Sequence, residues 1–242
     1  MPRPPSWPAL ALLCGALAVA ACDPGPIVSG PESPAPPSEP GTPSEPGTPS
    51  EPGTPSEPGL PAPAPPAPAT CAIELYTPTD ETPYVLPFPV GTAYRMNLGN
   101  CSSSFHGASQ PDRYAYDFGM PIGTPITASR PGEVVHVEES GVDGQHPNNL
   151  VVVRHADGTF AQYMHLTEGG ADVSVGDRVG RGDRIGRSGS TGLAGYPHLH
   201  FVVTDQGWRW PYTPVPISFG NADPDDLLLQ EGVTYRAESY AP

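Results

Sequence analysis

Hydrophobic and polar positions divide this chain near residue 70. Before that point one apolar run covers Ala9 to Ala21, and the rest has no apolar face. After it, short runs alternate with period two and break at Gly, Pro, Asn and Asp, the pattern of strands joined by turns. Tyr114-Ala115-Tyr116-Asp117-Phe118 places its three aromatics on one face and Asp117 on the other, with Ala115 and Gly119. Leu150–His155 and Phe160–Leu166 flank Ala156-Asp157-Gly158-Thr159, and an Asp-Gly step between two β runs predicts a hairpin. Gly123–Ala128, Gly132–Val137, pieces of Val173–Gly186 and Gly232–Ala237 read as further short strands. Tyr84–Pro89 and Thr92–Met96 read as strands broken by prolines, a structural strap without chemistry. No stretch between 105 and 205 has a helical period. The predicted fold class is therefore all-β, an antiparallel β-sandwich.

One predicted strand stands apart. Gly195-Tyr196-Pro197-His198-Leu199-His200-Phe201-Val202-Val203 enters from a Gly/Pro turn and puts His198 and His200 on one face, Leu199 on the other. Two imidazoles side by side with apolar residues behind them form a metal-site pattern, and a pair of ordinary surface histidines is the plain alternative. His165 falls near the end of the strand after the hairpin. Asp117, between small residues, has room for a metal or for an arginine partner.

Composition sharpens the division at residue 70. Of 242 residues, 37 are Pro and 28 Gly, and most of the proline excess precedes residue 70, so the remainder forms one domain. A formal charge of −15 disfavours nucleic acid and other phosphate partners, and direct attraction to anionic lipid. Residues 1–21 carry Arg3 and then the apolar run, which fits an export signal. The run ends Val19-Ala20-Ala21-Cys22, which resembles a bacterial lipobox in which the cysteine is acylated; plain signal cleavage leaving Cys22 as an odd thiol is the alternative. Residues 22–70 form a linker whose Ser-Glu-Pro-Gly-Thr-Pro repeat has a period of six and cannot bury a core. About 48 residues at roughly 3.1 Å each reach about 150 Å in extended polyproline form. This predicts a domain held off a membrane by a lipid anchor at Cys22, in the cell envelope and facing the periplasm or exterior. Cys71 and Cys101 are the pair left after processing, and in an oxidising compartment they are expected to form a disulfide stapling the strap of residues 71–104. Two buried thiols are the alternative. The four cysteines contain no Cys-x-x-Cys spacing.

Taken in order, Asp117-Phe118, Gly123-Thr124-Pro125-Ile126, Tyr163-Met164-His165-Leu166, Gly186-Arg187-Ser188-Gly189-Ser190-Thr191-Gly192 and Pro197-His198-Leu199-His200-Phe201 resemble the lysostaphin/LytM-type zinc metallopeptidases. The resemblance spans roughly residues 105–205. It implies the duplicated hybrid motif fold, a β-sandwich with a zinc groove. It also implies an endopeptidase that cuts peptidoglycan stem or cross-bridge peptides; the chain is separately expected to be a monomer. On matching positions, Asp117 and His200 are implied as Zn2+ ligands, and His165 and His198 as the catalytic histidines. The family's third ligand usually stands in a His-x-x-x-Asp spacing, which this chain lacks. His106, separated from Asp117 by residues 107–116, is the one histidine upstream of it and so the implied ligand.

Two histidines and a carboxylate leave a fourth zinc position for water. His198 is then placed to take a proton from that water, and His165 to orient water or stabilise an oxyanion. Neither His-Glu-x-x-His nor Gly-x-Ser-x-Gly occurs. His136, His146 and His155 read as structural or exposed. In the C-terminal strap of residues 206–242, Trp208, Trp210 and Tyr212 either pack on the sandwich or line the groove. Two other readings stand beside the active peptidase: an inactive peptidoglycan-binding or amidase-activating protein of the same fold, and a lipid-tethered adhesin.

Overall fold

The structure, a computed structural model, describes residues 72–241. The expected signal, the expected lipidation site Cys22, the linker and Cys71, and with it the expected pairing to Cys101, lie outside the described residues. The strands, in chain order, are β1 (Ala93–Leu98), β2 (Tyr116–Gly119), β3 (Pro125–Thr127), β4 (Gly132–Glu138), β5 (Leu150–Arg154), β6 (Phe160–Met164) and β7 (Leu166–Ala171). They continue with β8 (Arg178–Val179), β9 (Arg184–Ser188), β10 (His198–Asp205), β11 (Thr213–Pro214), β12 (Ala222–Asp223) and β13 (Thr234–Ala237). A single 3-10 turn at Ile73–Leu75 is the only helical element among the described residues.

The strands pair antiparallel in two sheets. A ten-stranded sheet runs β12-β13-β1-β2-β10-β6-β5-β4-β8, with β11 added on β10, and a three-stranded sheet runs β3-β9-β7. Alternation decides which face each strand buries. Tyr116 and Phe118 of β2, Leu199, Phe201 and Val203 of β10 and Val151 and Val153 of β5 join one core with Ile126, Ile185 and Leu166 of the small sheet. Phe219 plugs it, with ring centroids 5.1 Å from Tyr116 and 5.8 Å from Phe201. Each such ring contributes about 1.5–3 kcal/mol through burial. Where the core includes a hydroxyl it is used: Tyr163 Oη accepts from the Ser129 amide at 2.8 Å.

The predicted 156–159 hairpin forms, with Gly158 at φ 89°. Tyr84–Pro89 differs from its prediction. It is buried but makes no ladder, because Pro87 and Pro89 have no N–H to give. Its amides pair singly instead, Val85 with the Ser129 carbonyl at 2.9 Å and Leu86 with Asn221 Oδ1 at 2.7 Å. The strand expected to run through His165 stops at Met164. His165 adopts φ 62°, and the chain then leaves the large sheet for β7 of the small one.

Candidate metal centre and active site

The face of β10 opposite the core carries His198, His200 and Val202. His200 pairs with Asp117 across the β10–β2 ladder and with Met164 across β10–β6. Register therefore puts the His200 imidazole against the Asp117 carboxylate, Nδ1 to Oδ1 2.9 Å. His106 arrives from a loop. Successive turns fold 101–113, through Gly107 N to Ser104 O, Gln110 N to Gly107 O and Arg113 N to Gln110 O, and Cys101 N bonded to Arg113 O at 2.7 Å closes its base. This buries His106 and sets its Nε2 3.5 Å from Asp117 Oδ1. The position four residues before Asp117 is Arg113, whose guanidinium lies over the Tyr114 ring.

Donor atoms of His106, Asp117 and His200 all lie within 4.8 Å of one another, and so do those of His165, His198 and His200. Two donors each about 2.1 Å from a tetrahedral zinc are about 3.4 Å apart. The 3.5 Å between His106 Nε2 and Asp117 Oδ1 suits one ion, whereas the 2.9 Å between His200 Nδ1 and Asp117 Oδ1 is that of the hydrogen bond an ion would replace. The donor chemistry fits as well. A carbonyl oxygen only accepts, so a ring nitrogen beside one carries the proton. His106 Nδ1 lies 3.3 Å from Gly99 O, which leaves the Nε2 lone pair toward Asp117.

The same rule fixes the other two histidines. His165 Nδ1 gives its proton to Thr191 O at 2.7 Å, and His198 Nδ1 to Tyr196 O at 2.7 Å. Both Nε2 atoms are thus lone-pair acceptors. The glycine loop Gly186–Gly192 supplies the Thr191 carbonyl of the first of these bonds. Thr191 is locked by donating its hydroxyl to Leu166 O and accepting from Asn149 N. Gly189 O receives the His198 amide at 3.2 Å. A Cβ at Gly189 would sit 2.4 Å from Thr167 N, and Gly192, at φ 73°, would bring one to 2.6 Å from Asn148 Cβ. His165 itself occupies left-handed backbone with its amide donated to Asn148 Oδ1 at 2.9 Å, strain of the kind that collects at functional sites.

Electrostatics divide the four imidazoles. Burial, then the neighbouring His200 and His198, push His165 down to about 3. Burial also lowers His198 and His106. His200 is opposed by burial too, but Asp117 and Asp112 outweigh it and raise it to about 10. Burial alone would raise the Asp117 carboxyl; His200, His106 and His198 around it hold it below the usual carboxylate range instead.

Asp112 is the residue of this site that the sequence does not single out, whereas Tyr212 is one of three aromatics expected either to pack on the sandwich or to line the groove. Asp112 stood in a polar turn with no neighbour in sequence to mark it, and its partner Tyr212 is 100 residues away. Of the aromatic trio, Trp208 stacks on His136 at 4.2 Å, Trp210 is exposed, and Tyr212 alone reaches this site. His155 gives Nδ1–H to Pro131 O at 2.8 Å, outside the centre.

The family model described as Peptidase family M23 matches residues 112–211, a stretch that holds Asp117, His165, His198 and His200 and begins after His106. The chain is 41% identical over 122 residues to the peptidoglycan DD-endopeptidase ShyA of Vibrio cholerae, covering 50% of this chain and 27% of that protein. It is 44% identical over 89 residues to lysostaphin of Staphylococcus simulans, covering 36% of this chain and 17% of that protein. The solved catalytic domain of that lysostaphin is 34% identical, with a TM-score of 0.38, over 49% of this chain and 83% of the domain. The chain thus spans about a quarter or less of the length of these two curated relatives.

Proposed function

This chain belongs to peptidase family M23 through its residues 112–211, and from that premise we propose that it is a zinc-dependent peptidoglycan endopeptidase. One observation carries the reading: a His106–Asp117–His200 donor set adjoins two neutral imidazoles, His165 and His198, whose lone pairs are fixed by carbonyl acceptors. The names of the relatives, a peptidoglycan DD-endopeptidase and lysostaphin, support peptidoglycan as the substrate.

His106, Asp117 and His200 would hold a zinc ion, which would supply the Lewis-acid chemistry that makes water nucleophilic near neutral pH and polarises a carbonyl. The remaining work falls to the protein. His198 Nε2 accepts the proton of the attacking water and later returns it to the leaving amine. Tyr196 O keeps His198 in the tautomer this needs, as Thr191 O does for His165. His165, with a lone pair at Nε2 and a strongly depressed pKa, serves as a second acceptor that orients water. An oxyanion needs a donor, and His165 has its one N–H committed to Thr191 O. Upstream, the lipobox at Cys22 and the proline-rich spacer support a domain tethered in the cell envelope, with Cys71–Cys101 as its staple.

The test incubates the full chain with purified sacculi, with and without a chelator, and reads released fragments by mass spectrometry. Chelator-sensitive fragments with new peptide termini are expected. A folded, zinc-loaded chain that releases nothing from several wall chemotypes would hand the role to the inactive, binding or activating reading.

A further inference from the structure

Three of the four imidazoles at this site have Nδ1–H fixed by a backbone carbonyl and turn Nε2 inward. His200 is reversed. Its Nδ1 lies 2.9 Å from Asp117 Oδ1, an acceptor that draws the proton to Nδ1 when no metal is bound, so the tautomer a metal needs has to be set from the other ring nitrogen. His200 Nε2 is buried, has no hydrogen-bonded partner, and lies 3.3 Å from Asp112 Oδ1, off the ideal hydrogen-bond line but within ion-pair range. Asp112 does not belong to either donor group around the centre. It is itself held, because the Tyr212 hydroxyl donates to the same Oδ1. Tyr212 in turn packs on Ala115, Met164 and Val202, and it immediately precedes β11, which folds back on β10, the strand that carries His200.

We propose that Asp112, fixed by Tyr212, is the positioning carboxylate of the metal centre: it takes the Nε2–H of His200 and so keeps the Nδ1 lone pair for zinc. Without it, a neutral His200 is free to carry its proton on Nδ1, where Asp117 would accept it and the ligand atom would be lost. A carboxylate behind a metal-bound imidazole also raises the basicity of the ligand nitrogen, and losing such a partner costs about 10–100-fold in metal affinity. The C-terminal segment that sequence reading left as a strap thereby gains a role at the centre. The proposal rests on the zinc reading above.

The test measures zinc affinity of the full chain by competition with a chromogenic chelator, and the ring-nitrogen shifts of His200 by long-range 15N NMR on the zinc-loaded protein. D112N is expected to weaken zinc about 10–100-fold, with the Nε2–H signature of His200 lost or mixed. D112E should recover part of the affinity, and Y212F should lose several-fold while Asp112 remains. D112N that binds zinc as tightly as the parent with an unchanged tautomer overturns the proposal. Should D112N fail to fold, a Y212F chain with parental affinity and tautomer overturns it equally. A parent that binds no zinc overturns both this inference and the peptidase reading. Weakened zinc in D112N beside a parent that cleaves no sacculus peptide leaves this inference standing and removes only the hydrolytic one.

Discussion

Strand β10 and the loop 101–113 deliver histidines to the same centre by different means. On β10, His200 is pinned between ladders to β2 and β6, so its position follows from register. In the loop, His106 depends on a chain of single turn bonds and on the base closure between Cys101 and Arg113. A ladder spreads the cost of holding one side chain over many bonds, whereas a loop concentrates it in a few. The strand histidine also belongs to both donor groups, while the loop histidine belongs to one.

The largest effect that tests this difference is removal of each ligand in turn. H200A should lower zinc affinity by at least about a hundredfold, beyond the range of an outer partner, and reduce peptide release to background. H106A should lose less, about tenfold or more, and leave the metal-free melting temperature near that of the parent, since the turn bonds of its loop are made by backbone. Chelator competition and thermal melts on the same samples decide it. Equal losses for the two variants would break the contrast between strand and loop.

Next come the two imidazoles that hold no metal in this scheme. H198A and H165A should keep zinc affinity within a few-fold and lower kcat by about 10²–10⁴, the range of a positioned proton acceptor. A loss of zinc in either would move that histidine into the ligand set. Behind them, G192A should cost about 1–3 kcal/mol of stability, because it forces a side chain into a left-handed backbone and against Asn148. It should also lower kcat by disturbing the Thr191 carbonyl that fixes His165. Denaturant unfolding with parallel rate measurements checks both, and a neutral G192A would show that the glycine loop is not what holds that tautomer.

The contrast also explains what was legible in the sequence. Period-two spacing fixes faces, so His198, His200 and Asp117 could be placed on one side of paired strands from their neighbours alone. Motif order supplied His165, although the left-handed turn that ends its strand is set by Asn148 and Thr191, which no local pattern flags. His106 was reachable by elimination, not by geometry, because a loop held by turns has no period. Asp112 was not reachable, and Tyr212 was reachable only as one of three aromatics that pack on the sandwich or line the groove. Each is an ordinary residue in its own segment, and only the return of β11 onto β10 brings them together. Tyr84–Pro89 is not the strand expected for a related reason: its run is apolar and buried, but proline removes the ladder donors that would make it a strand.

The smallest effect separates burial from charge. His155, just after β5, is as buried as His200, but burial outweighs the one carboxylate that acts on it, Asp157, which Arg130 opposes; it gives Nδ1–H to Pro131 O and meets Tyr84 edge-on at 5.7 Å. Burial therefore lowers its pKa below 6.5, where His200, between Asp117 and Asp112, is raised to about 10. The two have opposite consequences. Below about 6.5 the unfolded chain protonates His155 while the native one does not, so this residue makes stability fall as pH falls. In the metal-free chain the stabilisation from His200 is complete below 6.5 and is lost only as pH rises toward 10. Comparing the parent with H155Q in one metal state by denaturant unfolding at pH 7.5 and 5.0 isolates the first. The parent should lose more stability than H155Q, by no more than about 1.4 kcal/mol per pH unit. Equal losses would mean that His155 takes up its proton without leaving its site, and that burial at the hairpin does not by itself keep an imidazole neutral.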